Sequence, residues 1–389
     1  MNAKRLSLLP PYLFVEIDKK KKALIEKGVD IISLGVGDPD LPTPEHIIKA
    51  GQEGLSRAQF HKYPFGPGMK DFRRVVSTYI RDRFGVELNP ENQIHALIGS
   101  KEGIGHLPLA FVNPGDYVLV PEPGYPVYRS STIFAGGRPY PMPLLEKNNF
   151  LPDFSKIPQK VLRKTRLMFL NYPNNPTAAT ATSTFFKEVV TLAKKNKFFI
   201  VHDAAYSEVY FNKPPVSFLS VPGAMNVGVE IHSLSKTYNM TGWRIGWICG
   251  NDKIISGLAN VKDNYDSGVF AAIQFAAIAA LSGPQDCVEK MRSVYRERRD
   301  IFYNGLCKSG WELKKPEATF YVWARPPRCY SIKCYLSKKA AEKLLTEAGI
   351  VATPGVGMGK AGEGYLRFAL TADKQKIAQA LERMEKIVW

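Results

Sequence analysis

The residues that could do chemistry begin with Lys236, in Ser233-Leu234-Ser235-Lys236-Thr237, directly after the strand expected at 229–232. A lysine at a strand end among small hydroxyl residues suits imine chemistry, because burial lowers an amine's pKa and makes it a nucleophile toward carbonyls. Arg244 lies eight positions on and can pair with a phosphate. Asp203 follows the apolar run 198–202, where a carboxylate is costly unless it meets a cation or a donor. Asn175 is presented by Asn171-Tyr172-Pro173-Asn174-Asn175-Pro176-Thr177, whose prolines hold an extended turn. Gly99-Ser100-Lys101-Glu102-Gly103 follows the run 94–98 and opens a helical pattern, a place where free N–H groups cradle a phosphate. Each has an ordinary alternative: a surface charge for a lone lysine, an N-cap for Asp203 or Ser100. Together they are a different matter, because ligands in open α/β sheets bind outside the carboxyl ends of the strands.

The elements that must position these groups alternate along the chain. Helical patterns run over 12–27, 44–55, 69–84, 101–112, 127–135 and 183–195, and late in the chain over 284–308 and 374–387. Short strands are expected at 30–34, 93–98, 117–121, 167–170, 198–202, 229–232 and 245–249, with two more near 320–323 and 365–368. Strands apolar on both faces and separated by helices imply an α/β fold with a mainly parallel sheet flanked by helices. The later elements read as a smaller α+β domain. The expected division is 1–42 as an arm and part of that small domain, 43–285 as the large domain that carries the site, and 286–389 as the small domain.

Composition narrows the function classes. The chain has 389 residues, 45% hydrophobic and 23% charged, which excludes a disordered tail, a collagen and a disulfide-stapled miniprotein. With 53 Lys and Arg against 36 Asp and Glu, the formal charge of +17 favours anionic partners, but only Lys19-Lys20-Lys21-Lys22 is a dense run. A diffuse excess reads as a solvated surface. The five cysteines form no CxxC pair, and reduced thiols in a cytoplasmic protein are expected. The six histidines form no HExxH, so no metal is expected, and His202 reads as a support for Asp203 rather than a base. Gly355-x-Gly357-x-Gly359-Lys360 lacks P-loop spacing and reads as a loop near the site entrance. The apolar stretch 269–281 is shorter than the roughly 20 residues a spanning helix needs, so it reads as a buried helix and no membrane partner is expected.

Tyr172-Pro173-Asn174-Asn175-Pro176-Thr177, Asp203-Ala204-Ala205-Tyr206 and Ser233 through Gly246 resemble the signature of fold-type I pyridoxal-phosphate aminotransferases of class I/II. The resemblance runs from Leu34-Gly35-Val36-Gly37-Asp38-Pro39 to Tyr365-Leu366-Arg367-Phe368, with the motifs in the family's order. Within the family, Pro123-Gly124-Tyr125-Pro126-Val127-Tyr128, His202 through Glu208 and Asp266-Ser267-Gly268-Val269-Phe270 are most similar to the branch that acts on LL-diaminopimelate. The resemblance implies pyridoxal 5'-phosphate, bound as an imine by Lys236, which also carries the substrate's proton. It implies Asp203 on the ring nitrogen. Asn175 and Tyr206 are implied on the ring oxygen, and Tyr125 against the ring face. Ser233 and Arg244, with the backbone of Ser100, Lys101 and Glu102, are implied on the phosphate. Arg367 is expected to grip the substrate α-carboxylate, with Gly37 giving close backbone approach. Lys101 and Tyr12 are expected near a distal carboxylate, and Asn175 beside the substrate. Tyr63 matches a position that reaches a neighbouring subunit's phosphate, which implies a homodimer with shared sites. The other partners implied are amino-acid and 2-oxo-acid substrates.

Two positions depart from the pattern: Gly66 stands where many relatives carry an acid facing the substrate's far end, and Ala178 where many have glycine. Broader amino-acid transamination (aspartate, alanine or aromatic donors) and carbon–sulfur β-elimination are the enzymatic alternatives. A nucleic-acid-binding regulator on the same core needs a helix-turn-helix extension that the match leaves no room for. A dead homologue is disfavoured by the presence of Lys236, Asp203, Asn175, Tyr206 and Arg244.

Overall fold

The computed structural model describes residues 2–9, 13–327 and 337–389. In chain order its strands are β1 (Ile32–Ser33), β2 (Ile94–Leu97), β3 (Tyr117–Glu122), β4 (Arg138–Pro143), β5 (Thr165–Asn171), β6 (Phe199–Asp203), β7 (Gly228–Ser233) and β8 (Gly246–Gly250). They continue with β9 (Glu312–Leu313), β10 (Tyr321–Arg325), β11 (Ile350–Val351), β12 (Thr353–Pro354) and β13 (Leu366–Ala369). The main sheet has seven strands in the order β2-β8-β7-β6-β5-β3-β4. All of its pairings are parallel except those of β8, which runs antiparallel to both β2 and β7. Strands β2 and β7 are buried along their whole length, as expected of strands covered on both faces by helices.

The helices form where apolar residues recur at helical spacing. Phe72, Val76 and Ile80 bury one face of Lys70–Phe84, which stops at Gly85 in a left-handed C-cap. Ser183–Asn196 buries Phe185, Phe186, Val189, Val190 and Ala193, and the Thr182 hydroxyl caps its start by accepting the Phe185 N–H at 3.2 Å. The apolar stretch near 270 is the helix Ala271–Ser282, with Gln274 buried inside it. Its Oε1 accepts the Met69 N–H at 2.6 Å and its Nε2 donates to Val269 O at 2.6 Å, so the polar group inside an apolar helix is satisfied.

Strand β4 escapes detection in the sequence because prolines occupy positions 139, 141 and 143. It lies at the edge of the sheet, paired only with β3, which is where proline is tolerated. A second, four-stranded sheet has the order β12-β13-β10-β9, and β1 pairs in parallel with β11. The Ile32 and Leu34 N–H groups thus donate to Gly349 and Val351, which ties residues near 35 to the C-terminal region.

Candidate active site

One antiparallel strand accounts for the convergence of the chemistry. In register, Leu97 opposes Gly246 and Gly246 opposes Ser233, so the start of β8 lies at the carboxyl ends of β2 and β7. Arg244 therefore enters the edge where Ser100 and Lys236 leave it. On the other side Asn171, at the end of β5, opposes Asp203, at the end of β6, and the Asn171 amide donates to Asp203 O at 2.8 Å. The result is a cavity of about 370 Å³ at that edge. Gly37, Ser100, Lys101, Tyr125, Asn175, Asp203, Tyr206, Ser233, Lys236, Arg244 and Arg367 all line it.

Lys236 lies in the short helix Leu234–Thr237, whose N-cap Ser233 accepts the Ser235 N–H at 3.2 Å. Its ammonium donates to Gly37 O at 2.7 Å. Burial first, and then the charges of Arg244 and Arg367, draw its pKa down to about 8 against the opposing pull of Asp38. Asp203 is buried, and its carboxylate accepts from the Tyr128 hydroxyl at 2.7 Å and the Ala205 N–H at 3.2 Å. Burial raises its pKa despite these donors, so the site favours a cation placed against it. Arg367 donates to Asn175 Oδ1 at 2.9 Å, Gly35 O at 2.6 Å and Thr353 Oγ1 at 3.2 Å. Its guanidinium lies 4.4 Å from the Tyr321 ring centroid, and the Tyr321 and Tyr206 hydroxyls are hydrogen-bonded at 2.9 Å.

Two glycines make room for these groups. A Cβ on Gly37 would fall 2.6 Å from Tyr321 Cζ and closer still to its hydroxyl. A Cβ on Gly99, whose φ is +73°, would fall 2.8 Å from the guanidinium carbon of Arg244. Arg244, itself at φ 56°, thus lies against the start of the helix Ser100–Phe111, where charged guanidinium and helix N–H groups together form an anion seat. The N-cap of that helix is Gly99, not Ser100, so the Ser100 side chain is not the cap.

The expected residues do not all meet. Glu102 does not line the cavity. Its N–H donates to Gly99 O at 3.2 Å, and its carboxylate accepts the Ile98 N–H at 3.0 Å and the Lys262 ammonium at 2.9 Å. Tyr63 is also outside the cavity, 74% exposed, with its ring centroid 5.5 Å from that of Phe65. Tyr12 lies outside the described residues. Sequence reasoning did not single out Tyr128, Asn171, Tyr321 or Asp38, which share the cavity wall. Asn171 and Asp38 stood inside quoted motifs and could have been found by their place at a strand end or beside Gly37. Tyr128 closes the quoted run Pro123 through Tyr128, in which only Tyr125 was given a role, and Tyr321 carries no local signal.

A buried lysine of lowered pKa, a buried carboxylate that favours a cation and an anion seat on one sheet edge fit pyridoxal phosphate, whose aldehyde, ring nitrogen and phosphate they match. This defines a pyridoxal-phosphate-dependent transferase. The chain belongs to the class I and II aminotransferases, whose family model matches residues 29–384. It is 54% identical to the LL-diaminopimelate aminotransferase of Syntrophobacter fumaroxidans over 100% of this chain and 99% of that one. It is 51% identical to the LL-diaminopimelate aminotransferase of Aquifex aeolicus, with 98% of each chain covered. Among solved structures it is similar to substrate-bound BacF from Bacillus subtilis, at 38% identity and a TM-score of 0.95 over 99% of this chain and 97% of that one. A Thermus thermophilus aspartate aminotransferase mutant superposes with a TM-score of 0.92 at 28% identity, over the whole of both chains. The fold class read from the sequence and the aminotransferase resemblance are both borne out. Among the described residues no helix is long and apolar enough to cross a membrane.

Proposed function

We propose that this aminotransferase moves an amino group between LL-diaminopimelate and 2-oxoglutarate, forming glutamate and a keto acid that cyclises to tetrahydrodipicolinate, reversibly and in lysine or peptidoglycan-precursor synthesis. The observation that carries this reading is full-length identity of 48–54% to LL-diaminopimelate aminotransferases in a chain whose lysine, carboxylate and two arginines share one cavity.

The residue roles follow from position and charge. Asp203 would hold the proton of the ring nitrogen. Asn175 and Tyr206 would hold the ring oxygen and Tyr125 the ring face. Arg244 and Ser233, with the backbone of Ser100 and Lys101, would seat the phosphate. Bound pyridoxal phosphate supplies the electron sink for the pair left when the substrate's α C–H bond breaks. The Lys236 amine, its pKa lowered by burial, would take and return that proton. Arg367 grips the α-carboxylate as a fork held in plane by Asn175, Gly35 and Thr353. Gly37 lets the backbone approach the same carboxylate. Lys101, with Tyr12, takes the distal carboxylate. The working form is a cytoplasmic homodimer in which Tyr63 completes the partner's phosphate site. Residues 43–285 make the cofactor domain, and 1–42 with 286–389 make the smaller one, a division supported by the β1–β11 pairing.

Gly66 cannot supply a distal acid: it has φ +80°, and a Cβ there would meet nothing within 4 Å. A charge-assisted hydrogen bond contributes about 1.5–3 kcal/mol, so its absence costs selectivity of about one to two powers of ten rather than the activity. The test is kcat/KM for LL- and meso-diaminopimelate, aspartate, alanine and phenylalanine with 2-oxoglutarate. LL-diaminopimelate is expected to lead, with some use of the meso isomer. A better rate with aspartate, alanine or phenylalanine would leave only the broader class.

A further inference from the structure

A buried ionisable cluster lies beneath the site. Successive residues of a strand face opposite sides of the sheet. His202 and Glu230, opposite one another in the β6–β7 register, therefore share a face, and His232 joins them two residues along. All three are buried. Glu230 Oε1 accepts the Phe218 N–H at 2.6 Å and lies 2.9 Å from His202 Nδ1. Its Oε2 accepts the Ser217 hydroxyl at 2.7 Å and lies 3.3 Å from His232 Nε2. Two donors and two imidazole nitrogens around its oxygens suit an ionised carboxylate. Burial pushes its pKa up, but the two imidazoles outweigh that and hold it far below the usual range.

Such a charge needs a countercharge, because an uncompensated buried carboxylate is costly. Among the described residues its ion-pair partners are His202 and His232. Aromatic rings close the cluster from water: His232 stacks on Trp247 at 4.9 Å, and Phe186 meets His202 edge-on at 5.0 Å. The other titratable groups near it are uncharged or already paired elsewhere. Cys249 opposes Glu230 from β8, its thiol pushed up by burial and by Glu230 itself. From the helix Lys70–Phe84, Tyr79 packs on Trp247 and donates to Glu208, and Arg83 pairs with Glu208 at 2.9 Å.

We infer that Glu230 holds an imidazolium on the His202–His232 pair, and that this charge, behind the strand end that carries Asp203, keeps the Asp203 carboxylate ionised. The three are positioning residues, since none lines the cavity. The inference rests on the reading that Asp203 holds the ring-nitrogen proton. Without the charge, Asp203 becomes the stronger base and draws that proton onto itself. A less positive ring then releases its neighbouring proton only at higher pH.

The experiment has two arms. In the cofactor-free full chain, ¹⁵N NMR of the imidazoles at pH 7.5 needs no variant. One of the two buried rings is expected to be doubly protonated, and two neutral rings overturn the inference. In the holoenzyme, Glu230→Gln is expected to raise the acid–base midpoint of the bound cofactor's visible band by about one pH unit. It should lower kcat about tenfold, the factor that corresponds to one such unit, with KM unchanged. A lower melting temperature with an unmoved midpoint makes the cluster merely structural and overturns the inference. Asp203→Asn runs alongside. If it leaves the midpoint unmoved, the Asp203 reading falls and this inference with it; if it moves the midpoint and Glu230→Gln does not, this inference alone falls.

Discussion

Gly37→Ala tests the packing of the substrate end of the site. The new methyl would lie 2.6 Å from Tyr321 Cζ and closer still to its hydroxyl, where ordinary contact begins near 3.4 Å, so the side chain must withdraw by more than about 1 Å or the backbone must shift. Tyr321 cannot swing away cheaply. It is buried, holds the Tyr206 hydroxyl at 2.9 Å and supports Arg367 at 4.4 Å. Overpacking costs about 1–3 kcal/mol and a lost neutral hydrogen bond about 0.5–1.5 kcal/mol. If most of this falls on the substrate complex, where Arg367 must hold its fork in plane, KM for the amino donor rises about ten- to hundredfold. The cofactor stays bound, because no side chain assigned to hold it is removed, and kcat falls less than KM rises. Steady-state kinetics with LL-diaminopimelate, beside the holoenzyme's visible spectrum, read both effects. Tyr321→Phe is the comparison: it deletes the hydroxyl, keeps the ring under Arg367 and should raise KM less than Gly37→Ala. A KM for Gly37→Ala within twofold of wild type would refute the reasoning.

Asp203→Asn is expected to leave the cofactor bound and to slow α-proton removal by several powers of ten, since a neutral amide does not hold the ring-nitrogen proton; near-normal single-turnover rates would contradict it. Lys236 has a folded pKa near 8, below its unfolded value, so from about pH 8 to 10.5 the unfolded chain binds more protons and stability rises with pH. Relative to Lys236→Met, the cofactor-free protein should therefore gain up to about 1.4 kcal/mol per pH unit in that window, measured by urea unfolding, and a flat difference would count against the lowered pKa. Ala178 sits at φ 59°, where an L residue costs about 1–2 kcal/mol, partly offset in a glycine variant by about 0.4–1 kcal/mol of unfolded-state entropy. Ala178→Gly should thus raise the thermal midpoint slightly, and a fall would show that the strain is not there.

The groups legible in the sequence were those that leave strand ends in short local motifs: Asn175, Asp203, Lys236 and Arg244 each follow or precede an expected strand, and the sheet brings them together. What stayed hidden depends on long-range contact. Tyr128 reads as one more aromatic of a helix, yet its hydroxyl reaches Asp203, 75 residues away. Tyr321 comes from the second sheet and meets Tyr206 across 115 residues. The antiparallel direction of β8, which decides where Arg244 enters, cannot be read from a run of apolar residues, because periodicity carries no strand direction. Glu102 is expected in the anion cradle through its backbone alone, and the structure shows its N–H donating to Gly99 O at 3.2 Å, a local contact that spacing does not reveal.

The proline-bearing strand at the end of the main sheet has a consequence for how the molecule behaves in a crowd. The Arg138 and Leu144 N–H groups donate inward, to Asp116 and Glu122, so the residues of even number between them face β3 as well. The outward positions are then 139, 141 and 143, and all three are proline. A stray strand arriving at this rim finds carbonyl acceptors and no N–H donors, and half a ladder does not hold. The rim is therefore closed to sheet-to-sheet aggregation by its own covalent structure, with no covering helix or fringe of charge needed for the purpose.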